Sequence, residues 1–190
     1  AKDNLFTAKE WAIHWAHQSI RTDYQAFYLL CLFLEIMDET SEFQGEIHDE
    51  FEPGLYPVLS NALYQLDLMA KEKKIARSAQ FVSFAGKLMQ VLGFAPDLSQ
   101  CMTCGVNLQG QELFERRLSF ENGGFNCISC EAEGGDLLLY QKLWRIKNEK
   151  YSALDLKEEL ASHFAQKVFS YLCYQAQVEP SKIRSYSMLF

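Results

Sequence analysis

The sequence predicts a mainly α-helical bundle into which a zinc-ribbon-like β-hairpin with four cysteines is inserted. Three observations predict this fold class. Apolar residues recur at helical spacing over most of the chain, two Cys-x-x-Cys pairs stand 22 residues apart, and a strong turn signal lies between the pairs. We expect residues 1–190 to form a single helical domain, with residues 99–133 as a zinc-finger insertion within it.

The first half of the chain contains three predicted helices. Thr7 and Glu10 form a capping box, in which each side chain satisfies a free backbone amide, so a first helix begins there. The stretch from Ala26 to Met37 is apolar nearly all round, which predicts the central helix of the bundle. After a Glu-Pro-Gly loop, Pro57 to Ala70 repeats leucine at helical spacing and predicts a third helix.

Three further helices flank the cysteines. Residues 75–92 follow the 3,4 spacing, and Gly93 is a natural left-handed stop for that helix. Asp136 precedes an amphipathic run that predicts a fifth helix. Ser152 or Asp155 then caps a long last helix with one apolar stripe.

Bulk composition favours a soluble, cytoplasmic protein. Hydrophobic residues make up 48% of the chain, enough for a substantial core, and the longest apolar run is interrupted by Glu35. The first residues lack the apolar stretch of a secretory signal.

The net charge of −7 is unevenly distributed. Residues 1–70 hold 12 acids against 3 Lys or Arg, and residues 71–190 hold 13 acids against 15. From Glu35 to Glu52 there are eight acids and no Lys or Arg, which repels a phosphate backbone. This stretch is a solvated acidic loop or a docking site for a basic partner.

The four cysteines of the two pairs predict one structural Zn²⁺ ion, because each Cys-x-x-Cys turn offers two soft ligands and two turns complete a tetrahedron. The ligands are Cys101, Cys104, Cys127 and Cys130. Leu118 to Phe120, the turn signal Asn122-Gly-Gly and the return from Phe125 predict a hairpin between the pairs. Disulfides and a redox pair are the alternatives, and each needs features that the sequence does not show.

Arg116 and Arg117 lie between the two pairs and admit two interpretations. They offset the charge of −2 that four thiolates leave on one Zn²⁺, or they contact phosphate as a nucleic-acid site. Neighbouring residues on a strand point to opposite faces, which favours the first interpretation.

The remaining cysteines and the histidines do not indicate an enzyme. We expect Cys31 and Cys173 to be small buried hydrophobic residues. The four histidines, at positions 14, 17, 48 and 163, have no Cys or Ser partner at the spacing of a catalytic motif. His14 and His17 could share a metal on a helix face, although no third ligand is visible.

The segment from Lys87 to Gly105 closely resembles the RecO family of bacterial recombination-repair mediators. The family pattern is a helix ending in Leu-Gly-aromatic, then Pro-x-Leu, a first Cys-x-x-Cys-Gly and a second pair after Gly-Gly. The matching residues here are Leu92 to Phe94, Pro96 to Leu98, Cys101 to Gly105, Gly123, Gly124, Cys127 and Cys130. LEIMD at 34–38 and the final IRSYSMLF are also similar to the family, so the resemblance covers roughly residues 20–190.

The resemblance implies a non-enzymatic mediator or scaffold in recombinational DNA repair. RecO proteins bind and anneal single strands through an N-terminal OB-fold barrel, dock the C-terminal tail of the single-stranded-DNA-binding protein, and join RecR. No barrel is visible here, so the resemblance implies weak or absent binding of single-stranded DNA.

An acidic, aromatic-ended tail needs a cation and an apolar slot. The residues expected to supply them are Arg77, Phe81, Phe84 and Lys87, although core packing explains the two Phe residues equally well. The alternative function is a zinc-ribbon regulatory module that binds a basic protein through its acidic N-terminal half and has no repair role.

Overall fold

The computed structural model describes residues 16–40, 54–109, 115–149 and 157–189, and in these residues it confirms a mainly helical fold with a small two-stranded hairpin. The first four helices are α1 (Gln18–Thr22), α2 (Tyr24–Thr40), α3 (Leu55–Glu72) and α4 (Arg77–Val91). The hairpin follows as β1 (Arg116–Ser119) and β2 (Gly124–Cys127). The chain then forms α5 (Leu137–Asn148), α6 (Glu158–Gln175), a 3-10 turn (Pro180–Lys182) and α7 (Arg184–Leu189).

Helix α4 lies at the centre of the bundle. Every residue from Ser78 to Gly86 is buried, and α2, α3, α5 and α6 all pack against this helix. Small residues permit the close approach: a Cβ added to Gly86 would lie 2.9 Å from Cγ2 of Ile146 on α5. The ring of Phe84 stacks on Phe33 of α2, with centroids 4.1 Å apart. These contacts place the core of the protein around α4.

The prediction that the helix over Ala26–Met37 is central is therefore wrong. Helix α2 buries one side, which includes Ala26, Leu29, Phe33 and Ile36. On the opposite side Tyr24 is 72% exposed. A helix that is apolar nearly all round does not show from its sequence which face meets the core, and the buried polar residues Ser78, Gln80 and Ser83 concealed the central position of α4.

The other predicted helices have their counterparts in α3, α4, α5 and α6. Gly93 ends α4 with a φ of +75°, as the stop signal predicts. The capping box at Thr7 lies outside the described residues, and so do Ser152 and Asp155; α6 begins at Glu158, after Lys157 as its N-cap. Within the described residues no helix combines the length and the apolar character needed to cross a membrane.

The C-terminal segment folds back onto α2, which the sequence does not predict. The backbone N–H of Ser185 donates to a carboxylate oxygen of Glu35 at 2.8 Å. Lys182 and Glu39, one turn further along α2, form an ion pair at 3.7 Å. The ring of Tyr186 stacks on Phe169 of α6, with centroids 3.6 Å apart. Thus α7 joins α2 to α6.

Tyr171 on α6 gives a first testable prediction. Its ring is 1% exposed and meets Phe120 edge-on, and burial raises its pKa to about 12. The folded protein keeps this proton at pH values where the unfolded chain loses it, so the contribution of Tyr171 to stability is constant below about pH 10 and is lost as the pH rises towards 12. The slope is at most about 1.4 kcal/mol per pH unit for this group.

Urea unfolding at pH 9, 10 and 11 measures that slope. Tyr171→Phe should make the slope shallower without removing it, because phenylalanine has no proton to lose while buried Cys173 and Tyr186 still contribute. Tyr56→Phe is the matched control, since Tyr56 is 79% exposed. Equal slopes in wild type and Tyr171→Phe would show that burial of Tyr171 does not control the alkaline decline.

Candidate metal centre

The hairpin between the cysteine pairs is present, as the sequence predicts. Strands β1 and β2 are antiparallel, and Arg116 lies opposite Cys127 while Leu118 lies opposite Phe125. The connection ends at Gly123, whose φ of +68° is one that residues with a Cβ rarely adopt. The ladder therefore sets the position of the second cysteine pair through Cys127, the last residue of β2.

The first cysteine pair forms a tight turn held against the hairpin. The N–H of Gly105 donates to the carbonyl of Cys101 at 2.9 Å, and Gly105 itself has a φ of +73°. The N–H of Met102 donates to the carbonyl of Phe125 in β2 at 3.0 Å. A Cβ added to Gly124 would lie 2.7 Å from Cγ of Met102, so glycine is needed for the two segments to meet. Backbone contacts thus bring the two pairs together.

The four predicted ligand residues converge on one point. All four sulfurs lie within 4.8 Å of one another, and Sγ of Cys104 is 3.7 Å from Sγ of Cys127. Zn–S bonds of about 2.3 Å in a tetrahedron separate the sulfurs by about 3.8 Å. The cysteines are free thiols, with no S–S bond between them. They are close enough to hold one metal ion.

The thiol pKa values fit a set of donors that needs a cation. Burial raises the pKa of Cys101, but amide hydrogen bonds, chiefly from Cys104 and Cys127, outweigh it and lower the pKa from 9.0 to about 6. Hydrogen bonds with the Cys104 and Cys127 sulfurs raise the pKa of Cys130 to about 12. The site therefore favours the thiolate form of Cys101 and opposes the thiolate form of Cys130. A divalent cation removes this opposition, because it stabilises every thiolate that it binds.

Two polar side chains that were not predicted from the sequence, Thr103 and Asn126, lie beside the sulfurs. The amide oxygen of Asn126 accepts a hydrogen bond from the Thr103 hydroxyl at 3.0 Å and lies 3.9 Å from the Cys101 sulfur. The N–H of Cys127 donates to that sulfur at 3.3 Å. Asn126 is 5% exposed. The sequence signal that could have identified Asn126 is its position on a strand directly before Cys127, a predicted metal ligand.

The two arginines of β1 have different surroundings. Arg116 is 1% exposed, donates to the carbonyl of Leu108 at 2.7 Å, and lies over the Tyr140 ring at 3.7 Å. Arg117 lies nearer the surface and pairs with Glu133 at 3.1 Å. A phosphate cannot reach the Arg116 guanidinium without displacing core side chains. Arg116 is instead a buried cation directly across the ladder from the ligand Cys127.

Asp136 joins the hairpin to the helices. Its side chain is 2% exposed and accepts a hydrogen bond from the N–H of Leu118 in β1 at 3.0 Å. The same carboxylate forms an ion pair with Lys167 of α6. A second link lies close by, where the Tyr140 hydroxyl of α5 donates to the carbonyl of Leu98 at 2.7 Å. From the sequence, Asp136 is predicted only as the residue before a helix.

The predicted partner-binding residues lie on α4 and do not form a surface slot. Phe81 and Phe84 are fully buried, and Phe81 meets Tyr186 with centroids 5.9 Å apart. Lys87 donates to the carbonyl of Glu149 at 2.7 Å, and burial lowers its pKa. Arg77 is half-buried at the start of the helix. Both rings belong to the core, so docking at Arg77 and Lys87 stays a prediction.

The two other cysteines differ from each other. Cys173 is 4% exposed and burial raises its pKa to about 11, as expected of a buried hydrophobic residue. Cys31 is only half-buried, on the outward side of α2. His163 is exposed on α6, and His14 and His48 lie outside the described residues. In the part of the chain that the structure describes, the four-cysteine cluster is the one group of His, Cys, Asp and Glu side chains placed to hold a metal.

These features define a helical-bundle protein with a hairpin between two of its helices, where four cysteines lie close enough to hold a metal ion. Comparison with known families then gives the family of the chain. The sequence model described as "Recombination protein O C terminal" matches residues 21–143, which include α2 to α4, the hairpin and the start of α5. The chain belongs to this RecO family.

Two curated relatives agree with this assignment. The chain is 30% identical over 117 residues to DNA repair protein RecO of Desulfitobacterium hafniense strain DSM 10664 / DCB-2, and 29% identical over 117 residues to that of strain Y51. Each match covers 56% of this chain and 41% of the relative, so it spans about two fifths of the relatives' length. No solved structure matches the chain significantly.

Proposed function

We propose that this protein is a cytoplasmic, non-enzymatic mediator or scaffold in recombinational DNA repair. The observation that carries the proposal is the convergence of four cysteine sulfurs at the hairpin, inside the region that matches the RecO family. Four protein ligands leave no open position for water on a tetrahedral ion, so the ion is structural and supplies no catalysis. The protein acts by holding partners.

The ion of this site is zinc. Thiolates are soft ligands, and a tetrahedral set of four sulfurs suits Zn²⁺ better than Mg²⁺ or Ca²⁺, which bind oxygen ligands. Arg116 offsets part of the charge of −2 on the loaded site from across the ladder. Cys101, Cys104, Cys127 and Cys130 hold the ion, and the ion fixes the hairpin against the end of α4.

The C-terminal tail of the single-stranded-DNA-binding protein is the first proposed partner. A groove of about 500 Å³ between α6 and α7 has the cation and the apolar floor that an acidic, aromatic-ended tail requires. Phe169, Ile183 and Met188 line it together with Arg184. Phe81 supports this groove from beneath through its contact with Tyr186. We place the tail here, next to the predicted site on α4.

A binding assay with three variants tests this placement. A synthetic acidic peptide ending in an aromatic residue should bind the wild type with micromolar affinity by isothermal titration calorimetry. Arg184→Glu should weaken binding at least about tenfold, because it replaces an attractive charge with a repulsive one. Lys71→Glu on α3 is the matched control for the change in net charge and should retain affinity.

Arg77→Glu separates the two placements. Loss of binding in Arg77→Glu with full binding in Arg184→Glu would return the tail to α4. Binding that neither variant affects, or no binding by the wild type, would contradict the repair role and favour a regulatory module that binds a basic protein.

RecR is the second proposed partner, and single-stranded DNA is a weak ligand at most. The chain has a net charge of −7, and Arg117 of the hairpin already pairs with Glu133. Co-elution with RecR in size-exclusion chromatography tests the first statement. DNA affinity that falls steeply with salt and is lost in Arg117→Glu would contradict the second.

A further inference from the structure

Helix α2 presents an apolar stripe on the side opposite the core. Its members recur at the spacing of one helix face and span about 15 Å along the axis. Leu34 is 46% exposed, Phe27 49% and Tyr28 40%, while Cys31 is half-buried between them. We call this stripe the α2 outer face: Tyr24, Phe27, Tyr28, Cys31 and Leu34. Within the residues that the structure describes, no element covers it.

The composition of the α2 outer face is that of an interface. Two tyrosines combine a large apolar ring with a polar tip, and such side chains are enriched where proteins meet. Isolated exposed apolar residues are ordinary, but a continuous stripe with three aromatic rings marks an interaction site. The opposite, buried side of α2 packs on the core, where Phe33 stacks on Phe84 of α4. The face is therefore a rigid platform.

The charge around the platform limits what can dock there. Helix α2 contains three acids, Glu35, Asp38 and Glu39, and no Lys or Arg. Asp23 lies immediately before the first residue of the face, and Asp38 is exposed one turn beyond its last. The apolar stripe therefore has acidic groups at both ends.

This charge disfavours three classes of occupant. The phosphates of nucleic acid and of anionic lipid headgroups are repelled by the acids. A second copy of the chain in a two-fold arrangement would bring two acidic stretches together, at the cost of like-charge repulsion. A polypeptide with an apolar stripe and flanking Lys or Arg complements both properties of the face.

We propose that the α2 outer face docks a basic amphipathic helix of another protein. The apolar stripe of that helix packs on Phe27, Cys31 and Leu34, and its basic residues lie over Asp23 and Asp38. The surface lies on the outward side of α2, whereas the tail groove lies between α6 and α7. The inference is therefore independent of the proposed zinc ion and of tail binding.

A designed peptide probes the surface directly. The probe is an 18-residue helical peptide with leucines at i, i+3, i+4 and i+7 spacing and lysines on both flanks, labelled for fluorescence anisotropy. The full chain should bind it with micromolar affinity, and affinity should fall as salt rises. The same peptide with glutamate in place of lysine should bind at least about tenfold more weakly.

Paired variants locate the binding. Leu34→Ser should weaken it at least about tenfold, whereas Leu138→Ser, at a leucine of α5 that is 39% exposed, should not. Asp38→Lys should weaken it, and Glu121→Lys, an equal charge change at the hairpin, should leave it within about twofold. Circular dichroism should show the same helix content in all four variants.

Two results would overturn the proposal. The first is equal affinity in Leu34→Ser and Leu138→Ser, which would mean that the peptide binds acidic surface in general. The second is a wild-type dimer in sedimentation experiments that Leu34→Ser converts into a monomer, which would assign the face to a second copy of this chain.

Discussion

Replacing Cys127 with serine should abolish stoichiometric metal binding and unfold the hairpin. The wild type is expected to carry about one zinc per chain, and the variant about a tenth of that or less. Cys127 ends β2, its sulfur lies 3.7 Å from that of Cys104, and its N–H donates to Cys101. Structural zinc contributes on the order of 10 kcal/mol in small finger domains, so the loss of one ligand removes a large stabilising contribution.

Elemental analysis and urea unfolding measure the two effects. Cys173→Ser is the matched control, because Cys173 is buried in α6 away from the cluster and should leave the metal content unchanged. Thiol titration of the unfolded wild type should find six free thiols, the number in the sequence. A Cys127→Ser variant with full metal content, or a wild type with cross-linked cysteines, would exclude the zinc site.

Arg116→Met should be strongly destabilising, whereas Arg117→Met should have little effect. Arg116 is 1% exposed, donates to the Leu108 carbonyl and covers the Tyr140 ring, so its removal leaves a buried acceptor without its donor. We expect a loss of about 2–4 kcal/mol in the free energy of unfolding. Zinc affinity should fall about tenfold, since the proposed offset of the negative charge on the loaded site by Arg116 is lost.

Arg117→Met provides the comparison one residue along the strand. Arg117 is half-buried and its partner Glu133 is exposed, and such pairs contribute at most about 1 kcal/mol. Chelator competition measures zinc affinity in both variants. If Arg117→Met lowered zinc affinity as much as Arg116→Met, the cation across the ladder from Cys127 would have no special role.

The parts of the fold that depend on neighbours in sequence could be predicted from sequence. The hairpin followed from alternation, the Asn122-Gly-Gly turn and the two cysteine turns, and Gly93 marked the end of α4. Helical spacing located α3, α5 and most of α6 because each buries one stripe. The four cysteines of the candidate metal site were identifiable because Cys-x-x-Cys is a local sequence pattern that places two sulfurs next to each other.

The parts that depend on tertiary contacts could not be predicted. The sequence could not reveal that α4 is central, because Ser78, Gln80 and Ser83 look polar and yet are buried. Phe81 and Phe84 have the spacing of an exposed slot as well as that of a core, and only packing against Phe33 and Tyr186 decides between them. The anchoring of Ser185 by Glu35 joins residues 150 positions apart, beyond any local pattern.

The Asp136 carboxylate stabilises the hairpin from outside the segment that contains the cysteines. Asp136 accepts a hydrogen bond from the N–H of Leu118 and forms an ion pair with Lys167 of α6. A peptide of residues 99–133 would lack Asp136 and Tyr140, and therefore the hydrogen bonds that both residues form. We therefore expect the excised peptide to hold its hairpin less stably than the full chain does.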